Sequence, residues 1–170
     1  MKNRGISLIE LIITISIMSI MIGGVVLTFS IVNSANTNKC AEQINTLLEK
    51  EKVQHMSNAQ DYSLIIYYYS DPNEKGYYAK VTKNTELASA ITTPGIRLGS
   101  NRISIYYHVT GDTTDRQVTS TGSLVISFHK SSGAFSEFST DKYVESISIK
   151  GSKNGSKVIL VTTTGKHYVE

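Results

Sequence analysis

The sequence predicts an α+β fold: a long N-terminal helix, membrane-spanning over its first half, packed through its second half on a small antiparallel β-sheet or β-sandwich domain. Three observations carry this expectation. Leu11 to Val32 is a run of 22 residues with no ionisable group; Ala41, Ile44, Leu47, Leu48, Val53 and Met56 then recur at three- and four-residue steps; and from Tyr62 onward short apolar and tyrosine-rich segments alternate with Gly, Asn, Asp and Pro turns. The chain of 170 residues divides on this basis into a leader at 1–5, an apolar half-helix at 6–32, an amphipathic half-helix at 33–60 and a β-rich domain at 61–170.

The apolar run is long enough to cross a hydrocarbon core, for which about 20 helical residues suffice. Thr14, Ser16, Ser19, Thr28 and Ser30 can return their hydroxyl hydrogen bonds to the preceding turn. Lys2 and Arg4 precede the run and put its amino end in the cytoplasm, with the domain outside. Gly23-Gly24 serves either as a soft spot or for close packing on a neighbouring helix. From Ala35 to about Asn58 the pattern is an amphipathic helix, and Glu49-Lys50-Glu51-Lys52 is expected on its solvated face. Counted from Ile6, the continuous helix would be about 80 Å long at 1.5 Å per residue.

Tyr62 to Tyr69 and Gly76 to Val81 are expected to form a hairpin around Asp71-Pro72-Asn73. The tyrosines fit half-buried strands better than a base-stacking platform. Glu86 to Gly99 is expected as loop or short turn, Arg102 to Val109 as a strand and Thr110 to Gly122 as a mobile loop. Ser123 to Lys130 and Ala134 to Ser139 flank the turn Ser131-Ser132-Gly133; Tyr143 to Lys150, Lys157 to Thr164 and His167 to Val169 complete a series of short strands, arranged as two small sheets on the helix.

The residues Gly5-Ile6-Ser7-Leu8-Ile9-Glu10, after a short basic leader and before the apolar run, resemble the N-terminus of the type IV prepilin superfamily, which includes type IV pilins and the pseudopilins of secretion and competence machines. The resemblance implies that a prepilin peptidase cuts between Gly5 and Ile6, that Ile6 is N-methylated, and that Glu10 becomes the fifth mature residue with a role in assembly. It implies as partners the peptidase, other pilin or pseudopilin subunits, an inner-membrane assembly platform and the lipid bilayer before assembly. Ile6 stands where phenylalanine is usual in that family, and the span lacks its common proline. Leu124 to His129, Ser132-Gly133, Ile147 to Lys150, Val158 to Val161 and Gly165-Lys166 resemble more loosely the closing strands of H-type pseudopilins and FimT-like minor pilins. An ordinary secretory signal fits less well, because its apolar core is shorter and a small-x-small cleavage site follows it.

Formal charge is +3, from 17 basic and 14 acidic residues; without Lys2 and Arg4 the balance is 15 to 14, and charge alone requires no nucleic-acid partner. Lys150, Lys153, Lys157 and Lys166 nevertheless cluster in the last strands and turns and are candidates for DNA contact, the alternative being a DNA-binding minor pilin of a competence machine. The single cysteine, Cys40, allows no intramolecular disulfide and is expected as a small apolar helix residue or as a thiol pairing between subunits. His55, His108, His129 and His167 are scattered without ligand spacing, and Asp112 and Asp115 fit a solvated turn better than a calcium loop. No enzyme activity, cofactor or metal is expected.

Overall fold

The computed structural model describes residues 7–72, 74–152 and 154–170, with positions 23–31 and 33 described by backbone alone. The architecture is α+β: one long helix lies on two antiparallel sheets. Helix α1 spans Leu8–Ser57 and runs through Gly23-Gly24 without a break. Ser7 holds the extended conformation of an N-cap and its carbonyl accepts the Leu11 N–H at 3.2 Å. The helix ends at Asn58, whose backbone turns extended while its N–H still reaches the Gln54 carbonyl at 3.1 Å.

The first sheet has the order β3-β2-β1-β6, with β1 at Tyr62–Ser70, β2 at Lys75–Lys83, β3 at Ile96–Leu98 and β6 at Leu124–Ile126. The second has the order β5-β4-β7-β8-β9, with β4 at Ser104–Val109, β5 at Arg116–Gln117, β7 at Val144–Lys150, β8 at Gly155–Val161 and β9 at Lys166–Val169. The expected hairpin is β1–β2, in register from Tyr62 opposite Lys83 to Ser70 opposite Lys75. Alternation then decides the faces. Leu64 and Ile66 point to the helix with Tyr77, Ala79, Leu98, Leu124 and Ile126, and the second sheet adds Ile105, Tyr107, Ile147, Ile149, Val158 and Leu160 to the same core.

Three expectations are corrected. The segment 86–99 is not merely loop: a 3-10 turn at Asn84–Glu86, helix α2 at Leu87–Ala90 and strand β3 occupy it, because Ile65, Tyr67 and Tyr78 on the outer face of the first sheet need a cover, which Leu87 and Ala90 supply. The loop 110–122 contains β5, paired to β4 at Tyr106 and Tyr107. Ala134 to Ser139 is no regular strand; isolated bridges join Phe135 to Phe128 and Ser139 to Lys142, and the pairing with 123–130 stops because the Phe138 and Ser139 N–H groups turn to the Lys142 carbonyl.

The amphipathic half of α1 also differs in register from the expected stripe. Thr37, Ala41, Ile44, Leu48, Glu51 and His55 are buried at alternating steps of four and three, whereas Val53 and Met56 are 57% and 49% exposed. The stripe that starts at Thr37 passes through Glu51 and His55, and hydrophobicity alone pointed past them. Cys40 is fully buried beside this stripe, with its thiol pushed up to about 12 by burial, so it packs as a small apolar residue.

Two glycine turns set how the second sheet meets the helix. Gly133 and Gly165 both have positive φ, at +66° and +63°, and a Cβ on Gly165 would fall 1.7 Å from the Gly133 carbonyl oxygen. Gly165 in turn offers its carbonyl to Lys52 Nζ of α1 at 3.0 Å. Gly165→Ala is expected to force these turns apart and lower stability by about 2 kcal/mol or more, read as a shift of the denaturation midpoint with unchanged slope.

Candidate functional site

Gly5 and Ile6 lie outside the described residues. Glu10 sits in the first turn of α1 with its side chain exposed, where the helix dipole favours a carboxylate. Around it stand Leu8, Ile9, Leu11, Ile12, Ile13, Ile15, Ile17, Met18, Ile20, Met21 and Ile22, all of them exposed. The polar side chains among them are turned inward: Thr14 donates to the Leu11 carbonyl at 2.9 Å, Ser16 to Ile12 at 2.8 Å and Ser19 to Ile15 at 2.8 Å. The described surface of this half-helix is therefore hydrocarbon, with the Glu10 carboxylate as its charge. Among the described residues no helix is long and apolar enough to cross a membrane. The part of the expected span described with side chains, Leu11 to Ile22, has 12 residues where about 20 are needed, and its continuation at 23–31 lies outside the described side chains.

The other half of α1 is clamped. Ser156 of β8 donates to Asn38 Oδ1, His167 Nδ1 of β9 lies 2.7 Å from Asn45 Oδ1, and His167 Nε2 is 3.3 Å from Glu49. With the Lys52 bond to Gly165, these contacts form a polar row along the helix that matches the second sheet. Glu49 and Lys52 thus hold the domain, and Glu51 is buried, so the run 49–52 is not simply a solvated face. Burial holds the His167 pKa below the ordinary histidine value, with Glu49 opposing. At the end of the helix, His55 Nδ1 accepts the Tyr62 N–H at 3.0 Å and ties α1 to the start of β1.

Glu51 is the residue that the sequence pattern hid. Its carboxyl is fully buried, neither oxygen has a hydrogen-bond partner, and His55 Nδ1 stands 3.7 Å away. Burial pushes its pKa up to about 8. The signal available in sequence was the four-three spacing from Thr37, which passes through position 51 whatever residue stands there.

Three of the candidate DNA-contacting lysines lie on the second sheet, on β7, β8 and β9. Lys150 and Lys157 are exposed on the face of the second sheet away from α1, with Lys150 opposite Gly155 and Lys157 opposite Ser148. Lys166 pairs with Val161, four residues further along β8, roughly 13 Å away by strand rise. Lys153 lies outside the described residues. Lys150 Nζ sits 4.5 Å from the Tyr106 ring centroid and 3.9 Å from Asp115. Lys142 and Arg116 are taken by Asp112, at 2.8 Å and 2.7 Å, and these partners, Lys142 first, hold the Asp112 pKa below the usual carboxylate range. Arg97 is on β3 of the first sheet. Among the described residues no cluster of His, Cys, Asp or Glu could hold a metal ion.

Residues 1–26 match the family described as the prokaryotic N-terminal methylation motif. No curated protein and no solved structure matches the chain. The matched stretch contains Gly5, Ile6, Glu10 and the start of the exposed apolar half-helix, and so the chain carries at its amino end the signature of type IV prepilins and pseudopilins.

Proposed function

We propose that this protein is a structural subunit, a minor pilin or pseudopilin, of a type IV pilus-like or type II secretion-like filament. Prepilin peptidase removes Met1 to Gly5 and Ile6 is methylated. Before assembly the subunit stands in the cytoplasmic membrane as a single-pass protein with its amino end inside, since the sequence continues without an ionisable group to Val32. The assembly platform then moves it into a filament on the cell surface or in the periplasm, where the apolar half-helices of many subunits form the core. The protein acts by packing, without catalysis of its own.

The observation that carries this reading is the division of α1: the half that carries the methylation motif is apolar and, from Leu8 to Ile22, exposed, and the other half is clamped to a domain. A helix with an unpaired hydrocarbon surface needs lipid or other helices around it. Processing tests the proposal at its first step. On coexpression with a prepilin peptidase, intact mass should show loss of residues 1–5 and a methyl group on Ile6. Gly5→Val should abolish the cut, because a β-branched side chain obstructs the close backbone approach that glycine permits. Normal cutting of the valine variant would sink the assignment.

A further inference from the structure

The first sheet is incomplete along one edge. Strand β6 pairs with β1 only from Leu64 opposite Ile126 to Ile66 opposite Leu124, while β1 continues to Ser70 in full register with β2. Tyr67 to Ser70 therefore have a strand neighbour on the β2 side alone. The chain before β6 does not extend the ladder because it satisfies itself: Thr119 N–H bonds to the Gly122 carbonyl at 2.9 Å, and Gly122 N–H to Thr119 Oγ1 at 3.1 Å. Between this turn and the open edge lies a groove of about 270 Å³.

The chemistry of the groove is narrow. The β1 edge from Tyr67 to Tyr69 forms one wall, with the Tyr69 ring as its aromatic surface because Tyr68 turns with Tyr77 to the core side and Tyr67 is only 3% exposed; Thr119, Ser120, Thr121 and Ser123 form the other, with Ser70 and Ile91 at the rim, and none of these residues is charged. Alternate residues of an antiparallel strand turn both N–H and C=O toward one side, so the open edge adds backbone donors and acceptors. The rings are held in place beforehand. Tyr68 makes an edge contact with Tyr77 at 5.1 Å, Tyr69 one with Tyr78 at 5.7 Å, and Tyr67 donates its hydroxyl to the Thr93 carbonyl at 2.7 Å. Fixed rings lose little entropy when a ligand binds.

We propose that this groove between the Tyr67–Ser70 edge and the Thr119–Ser123 turn binds a neutral saccharide of one or two rings. A sugar ring offers an apolar C–H face to an aromatic ring and hydroxyls to Ser, Thr and backbone groups, and the Tyr69 ring with the Thr119–Ser123 hydroxyls is that combination. A phosphate, carboxylate or ammonium ligand would lose its water without meeting an opposite charge. An extended peptide adding as a strand would run in line with β6, and there the Thr119–Ser123 turn stands in its path; a compact ligand avoids it. The site would give the filament subunit a carbohydrate contact in addition to its packing role.

The test uses the processed full chain in a detergent without a sugar head group and reads saturation transfer to the protons of cellobiose, lactose and N,N′-diacetylchitobiose. At least one should bind with a dissociation constant on the order of 1 mM, and acidic sialyllactose should bind no better. Tyr69→Ala removes one wall, and Ser120→Phe, at an exposed turn position, fills the groove; each should reduce binding at least about fivefold, a loss of roughly 1 kcal/mol. The second variant leaves the core untouched and so keeps the test valid if the first fails to fold. Absence of transfer to all three sugars at about 10 mM, or equal binding by the Ser120→Phe variant, overturns the proposal. Binding of the uncharged peptide acetyl-Thr-Ser-Thr-Gly-amide in place of the sugars overturns it in favour of strand addition.

Discussion

Glu10→Gln and Glu10→Ala are expected to be inserted and cut after Gly5 like the native chain, yet to enter filaments at a tenth of the native level or less. The carboxylate stands on an exposed, otherwise hydrocarbon surface. In the proposed filament, neighbouring helices would take it out of water, where it needs an opposite charge, and the proposed cut after Gly5 would supply one in the free amine of Ile6. Removing one member of a buried ion pair typically costs about 3–5 kcal/mol, because the other charge stays buried and uncompensated. A tenfold loss requires only about 1.4 kcal/mol. Glutamine retains the shape and alanine does not, so equal defects in both would identify charge as the determinant. The measurement is the amount of processed subunit in membrane and sheared-filament fractions, and native incorporation of both variants would remove Glu10 from the assembly step.

Glu51→Gln should raise the stability of the folded domain at pH 7 by about 2 kcal/mol and flatten its pH dependence. In the unfolded chain the carboxyl titrates at its ordinary value of 4.5, and in the folded protein burial pushes it up to about 8. Below 4.5 both states hold the proton and the group contributes nothing. Between 4.5 and 8 the folded state alone retains it, so stability falls as pH rises, by up to about 1.4 kcal/mol per pH unit. His167 acts with the opposite sign: its lowered pKa means that stability is lost as pH falls below the ordinary histidine value. Urea unfolding of a fragment beginning at Asn33, from pH 5 to 8, separates the two. Glu51→Leu should stabilise further, since it also removes the two oxygens that lack partners. A native slope retained in the glutamine variant would show that another group is responsible.

The N-terminal motif and the β1–β2 hairpin were legible in sequence because each is a local pattern. A glycine followed five residues later by a lone glutamate ahead of an apolar run is a contiguous signal, and two tyrosine-rich strands around a Pro-containing turn are nearly so. The buried stripe of α1 was misjudged at its end. Val53 and Met56 are apolar but lie off the line that starts at Thr37, whereas Glu51 and His55 lie on it and are buried in spite of their polarity. The edge groove was not legible, because it depends on where β6 stops pairing, and that follows from hydrogen bonds within the Thr119–Gly122 turn.

By itself the sequence determined the methylation motif, the helix that follows it and the succession of short antiparallel strands, all of which arise from interactions within a few residues. The tertiary structure decided which face of the helix is buried, that Lys142 and Arg116 both pair with Asp112, and that the tyrosines of β1 border a groove. Such placements depend on strand order, sheet register and the geometry of the Gly133 and Gly165 turns. Contacts between residues more than a hundred positions apart, such as Asn45 with His167, are set by how whole elements pack, and no local pattern carries that information.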